Sequence, residues 1–238
     1  MAILSHSNGI DGATITVTTG SGENLDELKA MQVPLPFATL TPSGGVVEIK
    51  AVFTTTPIRV LGIIGHDIPD TATIEFRDST DTLITSLGVN RPNAFAVIDE
   101  LSAGEIRYKI TGLSAAPIRI ALLWAGAGFE ALAEEAGEHG GIDYGYRSKV
   151  GAVTWTNPRT VARVVPATFR GLTDDQAWDE LEGIFTAVGT TRPVVYIPRV
   201  STQAQINRRS VYGTLNNRGR IIPEKPYYRA EFDVDEMV

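Results

Sequence analysis

The chain has 238 residues, which suits one large domain or two domains of ordinary size. Hydrophobic residues make up 43% of it, which excludes global disorder, and 21 Lys and Arg stand against 28 Asp and Glu. A formal net charge of −7 argues against a general nucleic-acid-binding protein. The absence of cysteine excludes disulfides, thiolate metal sites and a cysteine nucleophile, and it fits synthesis in a reducing cytoplasm.

No targeting or membrane segment is expected. Residues 1–12 are polar after Leu4 and lack the basic start and apolar centre of a signal peptide. The longest apolar stretch, residues 118–128, contains Arg119 and is far shorter than the roughly 20 residues that a membrane helix needs. An extracellular destination would therefore require cell lysis or a leaderless route.

The first half of the chain has the pattern of many short strands. Apolar and polar residues alternate in brief runs, and Gly, Pro, Asp and Ser separate these runs. The predicted strands are residues 13–19, 46–53, 58–64, 71–77, 83–87, 94–98, 105–111 and 118–124. The Thr-Thr-Thr-Pro sequence at residues 54–57 is expected to form a turn. The pattern predicts an N-terminal jelly-roll or β-sandwich domain over residues 1–128.

Residues 129–145 differ in composition. They are rich in Gly, Ala and Glu and show no strand period, so they are expected to link two domains. Within them, residues 129–136 could form one or two helical turns.

The remaining residues, 146–238, predict a second β domain with one helix at about 173–186. Thr173 is a natural N-cap, and Gln176 completes a capping box. Helical spacing places Ala177, Trp178, Leu181, Ile184 and Phe185 on one buried face. Strands are expected at residues 152–156, 160–165, 194–197, 210–215 and 227–234. The fold class is therefore mostly β, with a smaller C-terminal β-sandwich or barrel flanked by this helix.

The three histidines do not form a metal-binding or catalytic set. His6 and His139 lie in polar or Gly-rich segments and are expected to be solvated. His66 either contacts a ligand from a loop or hydrogen-bonds locally at the end of a strand, and the local role is favoured because no partner residues accompany it.

Four aspartates cluster around two turns and allow two interpretations. Such carboxylates can hold a hard cation, but Asp is also a preferred turn residue, and the turn interpretation is favoured. These residues are Asp67, Asp70, Asp78 and Asp81.

Catalytic and sugar-stacking groups are not apparent. The sequence contains no Gly-x-Ser-x-Gly motif and no assignable carboxylate pair, so we expect a protein that is not an enzyme and that has no cofactor or metal. Trp124 and Trp178 are expected in the core, whereas Trp155 is undecided. Phe37 is the only aromatic residue of the first domain outside the predicted strands, which leaves no visible stacking platform.

Charge is distributed unevenly along the second half. No acidic residue occurs between Gly183 and Pro223, a window that is rich in arginine. This window is either an electropositive patch that docks an acidic protein, or a solvated loop with scattered arginines. A third interpretation of the window is contact with a nucleic acid, although no specific nucleic-acid binding is expected. Two segments, residues 203–209 and 216–220, are expected to be exposed loops. The candidate interface residues are Arg199, Arg208, Arg209, Arg218 and Arg220.

Most of the chain, taken in order, resembles a known family. Residues 56–68 (TPIRVLGIIGHDI), followed by residues 73–78 (TIEFRD), resemble tailed-phage tail-tip proteins that contain a galactose-binding-like jelly roll. Residues 118–129 resemble the closing strand of that domain, and residues 144–148 resemble the start of the second part of such proteins.

The resemblance implies a structural component of a tail tip or baseplate, made in the host cytoplasm and located in the virion. It implies tube, hub or receptor-binding proteins as partners and a homo-oligomeric ring. The alternative is a carbohydrate-binding module or adhesin that contacts the host cell surface, because the fold also occurs in sugar-binding modules.

Overall fold

The structure is a computed structural model that describes residues 1–29, 37–89, 93–134, 139–142, 146–150, 153–157, 162–200, 202–217 and 219–237. In these ranges the chain is mostly β, as predicted. It divides into two compact units: unit 1 is Met1–Glu130 with Ile197–Ser210, and unit 2 is Ala131–Tyr196 with Val211–Val238. Residues 197–210, expected in the C-terminal domain, thus associate with the first unit. The predicted division into residues 1–128, 129–145 and 146–238 stays a prediction.

Unit 1 is a β-sandwich, which confirms the predicted fold class. Its strands are β1 (Ala2–Ser5), β2 (Thr14–Thr19), β3 (Ser21–Glu23), β4 (Ala38–Thr41), β5 (Val46–His66), β6 (Thr73–Arg77), β7 (Leu83–Gly88), β8 (Asn93–Thr111) and β9 (Ile118–Gly126). Two 3₁₀ helices, Gly9–Gly12 and Leu25–Lys29, lie between the early strands. The main sheet has the strand order β3-β4-β9-β5-β8-β6-β7, and β2 also pairs with β5.

Strands β5 and β8 are far longer than predicted. They pair antiparallel from Val46↔Thr111 to Ile64↔Asn93, with irregularities between Val52 and Thr56 and between Ile58 and Val60. The turn predicted at residues 54–57 was therefore wrong, because the chain passes this point as irregular strand. Three consecutive threonines favour extended backbone, and a register irregularity accommodates Pro57 beside them.

Buried aromatic residues of unit 1 pack against each other and make hydrogen bonds. The rings of Tyr108 and Phe76 meet edge to face with centroids 5.4 Å apart. The Tyr108 hydroxyl donates to the Trp124 carbonyl oxygen at 2.9 Å, and the Trp124 indole N–H donates to Ser5 Oγ at 3.0 Å. Trp124 is fully buried, as predicted. These bonds satisfy polar atoms that would otherwise be costly to bury.

The segment that precedes the first 3₁₀ helix is fastened to β9 by one side chain. Asn8 Nδ2 donates to the Leu123 carbonyl oxygen at 2.9 Å, and Asn8 Oδ1 accepts from the Ala125 N–H at 3.0 Å. His6 in this segment is partly buried, so the prediction that it is solvated was wrong. The Asn8 amide thus takes the place of a neighbouring strand, because it forms hydrogen bonds with the backbone of β9.

A short helix, α1 (Gln203–Arg209), also belongs to unit 1, where an exposed loop was predicted. Its Ile206 and Asn207 are buried. Asn207 Oδ1 accepts from the Phe95 N–H at 3.1 Å, and the Gln203 amide donates to the Phe95 carbonyl oxygen. Helix α1 therefore covers part of the edge of β8 and satisfies its backbone groups.

Unit 2 is a second β structure with a helical flank. Its strands are β10 (Gly128–Glu134, of which residues 131–134 belong to unit 2), β11 (His139–Ile142), β12 (Tyr146–Val150), β13 (Val153–Asn157), β14 (Ala162–Leu172), β15 (Pro193–Ile197), β16 (Val211–Leu215), β17 (Arg220–Glu224) and β18 (Tyr227–Glu236). One sheet region has the order β15-β16-β18-β17, and β14 pairs with β10, β11 and β18. A separate two-stranded sheet consists of β12 and β13. Strand β10 covers most of residues 129–136, so the structure has a strand there in place of the helical turns that the sequence allowed.

The predicted helix of unit 2 is present as a π-helical segment, Asp175–Leu181, that continues into α2 (Glu182–Val188). Its N-terminus has the predicted capping box: the Thr173 N–H donates to Gln176 Oε1 at 3.1 Å, and the Gln176 N–H donates to Thr173 Oγ1 at 3.3 Å. The buried face includes Phe185, whose ring lies 5.5 Å from that of Phe232. Trp178, predicted on the same face, is 42% exposed, so that prediction was wrong.

Gly62 provides a test of how closely unit 1 is packed. Gly62 pairs with Phe95 on β8, and a Cβ at Gly62 would lie 2.6 Å from Phe95 Cδ1. We expect Gly62→Ala to lower the free energy of unfolding by about 1–3 kcal/mol, because the buried ring must move. Urea unfolding followed by near-UV circular dichroism measures this change.

The matched control is Gly88→Ala in β7, where an added Cβ meets no atom within 4 Å. We expect this variant to stay within about 0.5 kcal/mol of the wild type. Equal losses in both variants would contradict the close packing of Phe95 on Gly62.

Candidate functional site

Three side chains of unit 1 meet where β4 pairs with β9 and where β5 ends. Phe37 directly precedes β4, Arg119 lies on β9 opposite Thr39, and Asp67 directly follows β5. We call this group the Phe37–Arg119–Asp67 cluster. The Phe37 residue is 43% exposed, and the side chains of Arg119 and Asp67 are 59% and 42% exposed.

Hydrogen bonds fix the guanidinium of Arg119 over the aromatic ring. Asp67 Oδ1 accepts from the Arg119 backbone N–H at 2.6 Å, and Asp67 Oδ2 accepts from Arg119 Nε at 2.8 Å. The Asp67 N–H in turn donates to the Arg119 carbonyl oxygen at 3.2 Å. Arg119 Cζ then lies 5.4 Å from the centroid of the Phe37 ring, within the range of a cation–π contact.

The cluster keeps its carboxylate ionised. Partial burial opposes ionisation of Asp67, but the hydrogen bonds and the positive charge of Arg119 outweigh it and lower the pKa of Asp67 below its ordinary value. The cluster therefore presents an apolar ring, a fixed cation and carboxylate acceptors at one exposed place. This combination suits noncovalent binding of a polar ligand, because it holds no nucleophile beside a base.

His66, the last residue of β5, is almost completely buried. Its Nδ1 accepts from the Ile68 N–H at 3.3 Å, so the ring makes the local hydrogen bond that was the favoured interpretation. Burial lowers the pKa of His66 to about 4, although Asp67 and Asp70 partly oppose this change. His66 is therefore a neutral structural residue at neutral pH. The side chain of His139 lies outside the described residues.

The aspartates near the turns have local partners. Asp78 Oδ1 accepts from the Thr80 N–H at 2.8 Å and from the Thr82 N–H at 2.9 Å. This is the geometry of a turn-forming Asp, which agrees with the favoured interpretation. Among the described residues, no group of three or more acidic or histidine side chains is arranged to hold a metal ion.

The candidate interface arginines are divided between the two units. Arg199, Arg208 and Arg209 belong to unit 1, and all three are exposed. Arg220 belongs to unit 2 and is also exposed, whereas Arg218 lies outside the described residues. Their role at an interface stays a prediction.

Among the described residues of unit 2 lie two clefts that the sequence did not reveal. One, of about 450 Å³, is lined by polar residues that include Asn217, Arg220 and Glu231. The other, of about 220 Å³, lies beside Trp178, whose ring meets Tyr228 edge to face with centroids 5.9 Å apart. Trp178 and Phe37 are thus exposed aromatic residues that the sequence analysis did not identify as candidate sites. The side chain of Trp155 lies outside the described residues.

Comparison with known proteins gives a resemblance in fold only. No protein-family model matches the chain, and no curated protein matches its sequence. Similar solved structures include CpGH89CBM32-5 from Clostridium perfringens in complex with GalNAc-β-1,3-galactose, with 8% identity over 51% of this chain and 100% of that chain and a TM-score of 0.42. A fucose-binding module from Streptococcus pneumoniae has 11% identity over 51% of this chain and 95% of that chain, with a TM-score of 0.41. The lectin domain of lectinolysin, complexed with Lewis B antigen, has 6% identity over 50% and 96%, with a TM-score of 0.41.

These neighbours are carbohydrate-binding modules or domains. At such low identities and TM-scores, the resemblance carries no information about what this chain binds. In the described part of the chain, no helix is long and apolar enough to span a membrane.

The buried His66 predicts a pH dependence of stability. The unfolded chain binds a proton at His66 below its ordinary pKa of about 6.5, whereas the folded chain binds it only below about pH 4. We therefore expect His66 to contribute up to about 3 kcal/mol to the free energy of unfolding. This contribution is fully present above about pH 6.5 and is lost as the pH falls towards 4. Urea unfolding between about pH 7.5 and 4 measures it.

In His66→Gln, this part of the pH dependence should disappear, although the variant is less stable at neutral pH. His6→Gln is the comparison variant, since the pKa of His6 is also lowered by burial but His6 is less buried. Parallel stability profiles of wild type and His66→Gln would contradict the prediction.

Proposed function

We propose that the protein is a non-catalytic structural component of the tail tip or baseplate of a tailed bacteriophage, where it assembles with neighbouring tail proteins. The observation that carries this proposal is the resemblance of residues 56–68 and 73–78 to tail-tip proteins. Residues 56–66 lie in β5, the strand of unit 1 that pairs with β2, β8 and β9.

The contacts of this run support a role in building a rigid body. Gly62 leaves space for the ring of Phe95, and Gly65 adopts a left-handed φ of 61° while its N–H donates to Asn93 Oδ1 at 2.9 Å. His66 is buried and neutral, and Asp67 holds Arg119. These four residues of the motif therefore shape the sandwich, and their contacts are structural. A rigid sandwich with exposed arginines is suited to docking other proteins.

The proposed setting also defines partners and location. The partners are tube, hub or receptor-binding proteins and further copies of the chain in a ring. The location is the virion, after synthesis in the host cytoplasm.

A phage that carries this gene allows a direct test. We expect the chain to copurify with particles through a density gradient and to be labelled by immunogold at the distal end of the tail. Deletion of the gene should lower the infectious titre by several orders of magnitude, because particles without a tail tip cannot infect. A plasmid copy should restore the titre. A chain that is absent from purified particles, or whose loss leaves the titre unchanged, would refute the proposal.

The Phe37–Arg119–Asp67 cluster favours a second candidate function, carbohydrate contact at a cell surface. Sugar rings stack on exposed aromatic faces through their C–H groups, and their hydroxyls accept from guanidinium groups and donate to carboxylates. Phe37, Arg119 and Asp67 supply these three groups side by side. The two functions are compatible, because a tail-tip protein can also touch the host.

A glycan array probed with the full chain tests this candidate. We expect saturable binding to at least one glycan class, and we expect Phe37→Ala to weaken it by about tenfold or more, since the stacking surface is lost. Leu83→Ala is the matched control, because Leu83 is another large exposed apolar residue of unit 1 at 49% exposure. Absence of binding, or equal weakening by both variants, would remove carbohydrate contact as a function.

A further inference from the structure

Charged residues are segregated in the second half of the chain. Residues 171–191 contain five acidic residues and neither Lys nor Arg, whereas residues 192–223 contain six arginines and no acidic residue. The acidic residues are Asp174, Asp175, Asp179, Glu180 and Glu182. Two adjacent stretches of opposite charge therefore occur in one chain.

The acidic stretch is exposed on the helical segment of unit 2. All five acidic residues are exposed, and none forms an ion pair with any residue that the structure describes. Trp178 lies among them and is 42% exposed. We call Asp175, Trp178, Asp179 and Glu182 the acid face.

A cleft beside Trp178 gives the acid face a defined shape. It has a volume of about 220 Å³ and is lined by Trp178, Glu182, Phe185, Thr186, Gly219 and Ile221. Gly219 permits the close approach of the chain to the ring of Phe185, since a Cβ there would lie 2.2 Å from ring atoms. An indole ring next to a carboxylate is a combination that accommodates an arginine side chain, whose planar guanidinium stacks on aromatic rings and pairs with carboxylates.

The arginine stretch places a complementary surface on unit 1. Arg208 and Arg209 are exposed in the last turn of α1. The helix is held on β8 by Asn207 and Gln203, which bind the backbone of Phe95. We call Arg208 and Arg209 the arginine face, and their position in an ordered helix reduces the entropy lost on binding.

We propose that the acid face of one copy docks onto the arginine face of a second copy of this chain. Charge complementarity within a single sequence supports this partner, because every copy carries both surfaces. The two faces are different surfaces, so the contact is heterologous, and copies that repeat it in one direction form a ring or a filament. This proposal does not require a phage setting, but in a tail tip it would supply the expected multiplicity.

Charge exchange between the faces tests the contact. The acid-face variant is Asp179→Arg with Glu182→Arg, and the arginine-face variant is Arg208→Glu with Arg209→Glu. Sedimentation velocity of the full chain should show that the wild type self-associates at about 50 mM salt and dissociates progressively towards about 0.5 M. Each variant alone should associate at least about tenfold more weakly, because like charges then meet.

An equimolar mixture of the two variants should restore association. In the mixture, the new arginines of one variant meet the new glutamates of the other, and the unchanged faces form the original contact. Glu100→Arg and Arg192→Glu are matched controls at exposed positions outside the two faces, and they should associate as the wild type does. Thermal unfolding of each variant shows whether it is folded.

Two results would overturn the proposal: a wild-type chain that stays monomeric at low salt, or a mixture that associates no better than its separate components. If the chain is monomeric and binds a polyarginine peptide, the acid face belongs to a different basic partner. None of these results bears on whether the chain is present in phage particles, so this proposal and the proposed function can fail separately.

Discussion

The continuous pairing of β5 with β8 is the constraint on which unit 1 depends. Strand β5 pairs with β2 through its first half and with β9 through its second half, while β8 pairs with β5 along nearly its whole length. The irregularities near residues 52–60 allow β5 and β8 to remain paired on both sides of this region. This pairing positions the buried rings of Tyr108 and Trp124 and the residues that follow β5. A shift of one residue in this register would turn the apolar side chains of β5 outward.

Local sequence patterns predicted much of this arrangement. Alternation of apolar and polar residues identified most of the strands of unit 1, and the Thr173–Gln176 pair identified the start of the helix in unit 2. What the sequence did not reveal depends on distant partners. Nothing near Gly62 indicates that Phe95 lies against it, and nothing near residues 203–209 indicates that an edge of β8 requires covering. Propensity is local, whereas these contacts span 33 or more residues.

The error at Trp178 has a specific physical cause. The prediction assumed α-helical spacing, which places residues 177, 178, 181, 184 and 185 on one face. In the structure the first part, Asp175–Leu181, has the wider hydrogen bonding of a π-helix. Ala177 and Leu181 remain buried, whereas Trp178 turns towards solvent beside Tyr228. Phe37 was missed for a different reason, since its neighbour Arg119 is 82 residues away in the sequence.

Exposed charge pairs stabilise proteins only slightly, typically by about 0–1 kcal/mol each, so opposite charges alone would not hold two copies together. In the proposed contact the charges determine which surfaces meet and how fast they do so. Most of the binding free energy must then come from covering Trp178 and filling its cleft, because large aromatic residues dominate the energetics of interfaces. The exposed indole and the segregated charges therefore have complementary roles, and neither would suffice without the other.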